Sequence, residues 1–172
     1  GAGAVGLEMA TAFLGLGVRV TLIDGAPRVL PDAMPDATAV IERSLRAAGA
    51  CIHLGAHVSR YDEAAKCLML DLDGRHHAVE GVDQILIAIG RRPNVTSLNL
   101  DAAGVQASDQ GIAVNSWGRT NVARIWAVGD ATVGSHQTHA ANALGRRIVQ
   151  RIALPWLPPI GRPPTIPSAV FC

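Results

Sequence analysis

Apolar and polar positions alternate along this chain with two different periods. From residue 4 to residue 16 the apolar positions recur at helical spacing, with Met9, Phe13 and Leu16 on one stripe. Gly15 and Gly17 supply a stop. A β-branched run, residues 18–23, reads as a strand ending at Asp24, and a loop punctuated by Pro27, Pro31 and Pro35 follows. A second helix is expected over residues 36–48, with Ile41, Leu45 and Ala48 inward and Glu42, Arg43 and Arg46 in water. Gly49 ends it before a short strand over residues 51–54. The period then drops to two. Residues 57–61, 66–72 and 76–79 read as antiparallel strands, the last two joined by the tight-turn pair Asp73-Gly74. Residues 83–89 are apolar almost throughout, the pattern of a parallel strand buried on both faces, and Gly90-Arg91-Arg92-Pro93 breaks it.

Beyond that break come a second hairpin-like region at residues 111–116 and a short strand within residues 120–130 that ends in Gly129-Asp130. A helix over residues 138–153 follows. The Pro-rich stretch 154–167 reads as an extended linker, and residues 168–171 as the beginning of another strand. Of 172 residues, 17% are charged and nearly half are apolar, so the chain is globular rather than disordered. A net charge of +1 gives no reason to expect nucleic acid or an anionic membrane surface, and no apolar run is long enough to span a bilayer. Cys51, Cys67 and Cys172 are far apart in sequence and form no metal-binding spacing; Cys51 and Cys67 are expected to be buried thiols. A cytoplasmic location is the default for such thiols.

The candidate chemistry stands at the start. Gly1-Ala2-Gly3-Ala4-Val5-Gly6 is G-x-G-x-x-G, followed by Leu7-Glu8, a helix, a strand and Asp24. This order fits a dinucleotide-binding βαβ unit. Gly1 allows the turn, Gly3 admits a pyrophosphate, Gly6 lets the helix pack on its strand, and the helix N-terminus offers N–H groups to phosphate. Asp24 would accept the hydroxyls of an adenosine ribose and repel a 2′-phosphate, with a turn-forming role as the simpler reading. Gly25, Ala26 and Pro27 supply no cation, which leaves Arg28 as the nearest candidate phosphate partner. The motif lacks a preceding strand, so the chain is expected to be an internal piece of a longer protein.

Three separated motifs then agree: residues 1–8 with Asp24, residues 88–94 (Ala-Ile-Gly-Arg-Arg-Pro-Asn), and residues 120–130 ending Trp-Ala-Val-Gly-Asp. Together, with residues 165–171 as a fourth, they resemble the pyridine nucleotide–disulfide oxidoreductase family. The resemblance implies an α/β fold: a Rossmann-like NAD(P)-binding domain without its first strand over residues 1–90, and the second segment of an FAD-binding domain over 91–153. A linker and the start of a dimerisation domain would occupy 154–172. It implies FAD and NAD as cofactors, a small-molecule or disulfide substrate, and a homodimer formed through a C-terminal domain. By the same resemblance Glu8 would lie near the nicotinamide and pair with a lysine beside the flavin. Val58 would lie near the adenine and Gly90 near the nicotinamide half; from sequence alone Val58 reads as a core strand residue. Asp130 would bind a ribityl hydroxyl, or simply cap the next helix. His136, Gln137, Thr138 and His139 would approach the isoalloxazine, mainly through backbone N–H groups. The family's redox cysteine pair and its His-Glu acid/base pair have no counterpart here, so no catalytic residue and no metal ligand is expected within these residues. An NADH:acceptor flavoprotein without a redox disulfide, such as a transhydrogenase or quinone reductase, and a non-catalytic NAD-binding module are the alternative readings.

Overall fold

The computed structural model describes residues 1–134, 138–156 and 169–172. They form two compact units, residues 1–90 with 169–172, and residues 91–168.

The first unit opens with α1 (Ala4–Gly15), β1 (Thr21–Asp24), α2 (Pro35–Ala47) and β2 (Cys51–Leu54). Gly17, at φ +80°, takes the left-handed conformation that lets the chain leave α1, and Gly49, at φ +98°, does the same after α2. Pro35 opens α2 at a position where its missing N–H costs nothing. β1 and β2 pair in parallel, Thr21 opposite Cys51 and Asp24 opposite Leu54. The two helices bury Leu7, Ala10 and Leu45 with Leu22, Val29 and Ile52 of the strands and loop. The buried face of α1 is therefore Gly6, Leu7 and Ala10 rather than the expected Met9–Phe13–Leu16 stripe; Leu16 is 76% exposed. On that face Leu7 and Ala10 pack among Leu22, Val29, Leu45 and Ile52, while Gly6 lies against the carbonyl of Gly1. On α2, Thr38 is buried and donates its hydroxyl to the carbonyl of Pro35, while Ala48 is exposed.

β3 (Ala56–Asp62), β4 (Cys67–Leu72) and β5 (Arg75–Glu80) form an antiparallel meander, with a register shift between Val58 and Arg60. Asp73 (φ +50°) and Gly74 (φ +72°) make the β4–β5 turn, whose left-handed pair matches the twist of the strands.

Residues 83–89 do not form the expected buried parallel strand. Among the described residues no strand is hydrogen-bonded to them, and Ile87 is 74% and Ile89 83% exposed. Without a strand alongside, an apolar run has nothing to bury against. Its start is tied down: Val82 N–H donates to the carbonyl of Lys66, Tyr61 Oη donates to the carbonyl of Val82, and Lys66 Nζ pairs with Asp83 at 2.6 Å. Cys51 is also exposed and Cys67 half-buried, against expectation, because both occupy strand positions with an open side.

The second unit holds β6 (Ala107–Ser108), β7 (Gly111–Ile112), a 3₁₀ turn (Gly129–Ala131) and α3 (Thr138–Ala153). Residues 120–130 make no continuous strand. Arg119 and Trp126 form an isolated bridge, and Thr120 closes the turn through its hydroxyl, which donates to the carbonyl of Ile125. Among the described residues of this unit, Gly111, Gly118, Val105, Ile112, Thr120, Thr132 and Ile148 are buried. The expected linker lies outside the described residues from 157 to 168, and residues 169–172 form no strand.

Candidate nucleotide site

The glycine loop is shaped by what surrounds each glycine. A Cβ on Gly1 would overlap the carbonyl oxygen of Ala88, and one on Gly6 would overlap the carbonyl oxygen of Gly1. Backbone occupies both places, so neither position accepts a side chain without moving the chain. Over Gly3 there is nothing within 4 Å. Gly3 is the N-cap of α1 and offers no side-chain oxygen to the helix; Leu7 N–H donates to its carbonyl at 3.0 Å. The first-turn N–H groups of Ala4, Val5 and Gly6 emerge at that end, and the turn carries no acidic residue. Open space edged by helix N–H groups is suited to an anion.

Asp24 is held against this loop. Its Oδ2 accepts the N–H of Ala2 at 2.5 Å and its Oδ1 accepts the N–H of Ala26 at 2.7 Å. The second contact is the local turn read from sequence; the first links the end of β1 to the glycine loop. Gly1 N donates to the carbonyl of Ile23 at 2.7 Å, and Leu30 N–H to that of Ala2 at 3.0 Å, so strand, loop and glycine turn form one hydrogen-bonded unit. Arg28, the alternative phosphate partner, turns its guanidinium onto the carbonyl of Pro31.

Glu8, half-buried on α1, accepts the N–H of Phe171 on Oε1 at 3.1 Å. The Cys172 thiol beside it is pushed above its ordinary pKa by burial, with the Glu8 charge adding to the effect. Val58 is 53% exposed and so is not the core residue its strand position suggested; β3 lies against β1. Gly90 stands two residues beyond Ala88, at φ +135° with open space around it. Ala88 is the neighbour of the glycine loop that sequence reasoning missed, and only its place two residues before Gly90 hinted at it.

In the second unit Asp130 lies in the 3₁₀ turn beside α3, where Gly129 packs close to Ala141. Its carboxylate is largely exposed and reaches Arg91 Nη1 only at 3.8 Å. Thr138 and His139 open α3 and are exposed, with no acidic residue in the first turn. His136 and Gln137 lie outside the described residues. Among the described residues no three metal-binding side chains converge, and no helix is long and apolar enough to cross a membrane.

This arrangement has known counterparts. The profile of the pyridine nucleotide-disulphide oxidoreductase family matches residues 1–145. The chain is 37% identical over 141 residues to dihydrolipoyl dehydrogenase of Bacillus subtilis (strain 168), covering 82% of this chain and 31% of that protein. It is 33% identical over 144 residues to mercuric reductase of Lysinibacillus sphaericus, covering 82% and 26%. Among solved structures, the Cu(II) complex of the HOCl-induced flavoprotein disulfide reductase RclA from Escherichia coli superposes with a TM-score of 0.77 at 31% identity. That match covers 88% of this chain and 34% of the reductase. LpdA from Mycobacterium tuberculosis gives 0.77 at 29% identity, covering 92% and 34%. The chain thus spans about a third of the length of these relatives. It belongs to the pyridine nucleotide-disulphide oxidoreductase family.

Proposed function

We propose that these residues carry the NADH site and part of the flavin site of an FAD-dependent oxidoreductase that passes electrons to a disulfide or similar acceptor. The observation that carries this reading is the union of an open Gly3, a helix N-terminus and an Asp24 carboxylate fixed beside them. Backbone N–H groups of residues 3–6 would hold the pyrophosphate, and the space over Gly3 fits its close approach. Asp24 already has both oxygens oriented by backbone N–H groups, and their remaining lone pairs suit two vicinal ribose hydroxyls. Glu8, Val58 and Gly90 would line the rest of the dinucleotide's path, as the family resemblance implies.

For the flavin, Asp130 would accept a ribityl hydroxyl, its carboxylate being exposed and weakly engaged. Residues 136–139, at and before the start of α3, would place helix N–H groups near the ring, where they favour negative charge. A bound flavin would supply the hydride-accepting chemistry for NADH, while the residues here would bind, orient and tune it. Names of relatives point to dihydrolipoyl or mercuric substrates for those proteins, and the acceptor here is proposed only as a disulfide or like group.

The test is equilibrium binding of NADH to the full-length protein together with the visible spectrum of its bound chromophore. Saturable NADH binding and a flavin band bleached by NADH are expected. Absence of both would overturn the reading.

A further inference from the structure

We infer that His57 is a further binding residue for the adenosine end of the dinucleotide and that it sets what residue 25 can be. The inference rests on the NADH site proposed above. Gly25 follows Asp24 directly, at the end of β1. Gly55 N–H donates to the carbonyl of Ala26 at 2.9 Å, which ties the turn after β1 to the turn between β2 and β3. That tie brings His57, the second residue of β3, over Gly25. A Cβ built on Gly25 would stand 2.7 Å from Cε1, 3.2 Å from Nδ1 and 3.5 Å from Nε2 of the imidazole. The edge of the ring bearing both nitrogens therefore faces the residue next to the ribose-binding carboxylate.

Gly25 has no positive φ, so its backbone would accept any L-residue. What a side chain at residue 25 would meet is the His57 ring, which would have to shift to admit it. His57 is itself exposed and lies in a cross-strand row with Asp71 and His76, whose Nδ1 sits against Asp71 Oδ1. The ring edge of His57 that carries both nitrogens lies beside Gly25. An imidazole N–H there can donate to a ribose hydroxyl from the flank opposite the glycine loop, while the ring narrows the space beside the 2′ position. An arginine introduced at residue 25 to recruit a 2′-phosphate would first have to displace this ring.

The test is a double-mutant cycle in the full-length protein, using His57→Ala, Gly25→Ala and the pair, with dissociation constants for NADH and NADPH and steady-state kinetics. Loss of one neutral hydrogen bond weakens binding by about 3- to 10-fold, so His57→Ala should raise the NADH dissociation constant by that factor. KM should rise with it while kcat stays, because the adenosine end is remote from the reacting atoms. Gly25→Ala should weaken NADH similarly, and the double variant should be no weaker than His57→Ala alone. His57→Asn, which keeps a donor, should recover part of the loss. Unchanged NADH binding by His57→Ala, or single effects that multiply in the double variant, would overturn the inference while leaving the NADH site standing. Failure of the unmutated protein to bind NADH would instead remove the site on which it rests.

Discussion

Asp24 Oδ2 accepts the N–H of Ala2 at 2.5 Å, across twenty-two residues of chain. One carboxylate thereby fixes the glycine loop to the end of β1. Under the proposed function the same side chain would also meet the ribose, and variants here must be read with both in mind.

Two of the motif glycines separate these roles. Gly6→Ala would drive a methyl group into the carbonyl of Gly1, and backbone cannot yield cheaply. It should destabilise the protein by several kcal/mol, on the order of the largest single-residue effects. Gly3→Ala meets nothing within 4 Å in the protein, so its melting temperature should hold while NADH affinity falls. Thermal melts and NADH titrations of both variants check this; an equal loss of stability in the two would contradict it.

Asp130 should behave in the opposite sense from Asp24. Its carboxylate is exposed and only loosely paired with Arg91, so Asp130→Ala should leave the melting temperature of the apoprotein unchanged. Loss of a charge-assisted hydrogen bond to the flavin should cost about 1.5–3 kcal/mol of FAD affinity. Flavin retention after dilution and gel filtration reads this directly. Full retention would leave Asp130 without a role in flavin binding.

Residues 85–89 place Ile85, Leu86, Ile87 and Ile89 in water along an unpaired segment. An exposed apolar segment with open backbone groups recruits other strands. The polypeptide 1–172 expressed by itself should therefore self-associate, and Ile87→Lys should reduce that. Sedimentation velocity measures it; a monodisperse monomer at high concentration would contradict the expectation.

The Lys66–Asp83 pair gives a pH expectation with a definite sign. The hydrogen bond from Lys66 and its charge hold the Asp83 carboxyl below the usual carboxylate range, and the same contact raises Lys66. Asp83's contribution is present above the ordinary carboxylate pKa and is lost as pH falls through its lowered value. That of Lys66 is present below its ordinary pKa and is lost as pH rises through the raised one. Both groups are exposed and solvent-screened, so Lys66→Ala should melt with the unmutated protein from about pH 5 to about pH 9. A melting temperature lowered across that whole window would show the pair anchoring residues 82–83.

The parts legible in the sequence were those set by local physics. Gly49 marks the end of α2, Asp73-Gly74 the β4–β5 turn, and the 3.6-residue period the helix over 138–153; each depends on a few neighbouring residues. Gly1 and Gly6 lie against one another and Asp24 accepts the N–H of Ala2 between them, because one short helix and one strand determine their separation. What failed depended on neighbours distant in sequence. Apolar content showed that residues 83–89 could be buried but not whether a strand lies beside them. Met9, Phe13 and Leu16 looked like the inner stripe of α1 because large residues usually are, whereas the buried face is Gly6, Leu7 and Ala10, turned toward Leu22, Val29 and Ile52. His57 carried no motif; its place over Gly25 follows from the turn that joins β2 to β3.

The most direct measurement is the ratio of kcat/KM for NADH and NADPH on the full-length protein, with Asp24→Asn beside it. Under the proposed function Asp24 would meet the ribose, and Arg28, the nearest cation in the following loop, is bonded to the carbonyl of Pro31. Like-charge repulsion of a 2′-phosphate by a fixed carboxylate amounts to several kcal/mol, so NADH should be preferred by about 100-fold or more. Asp24→Asn should narrow the ratio, chiefly by weakening NADH use. Equal use of the two nucleotides by the unmutated protein would contradict the assignment of Asp24 to the ribose and turn attention to Arg28 as a phosphate partner.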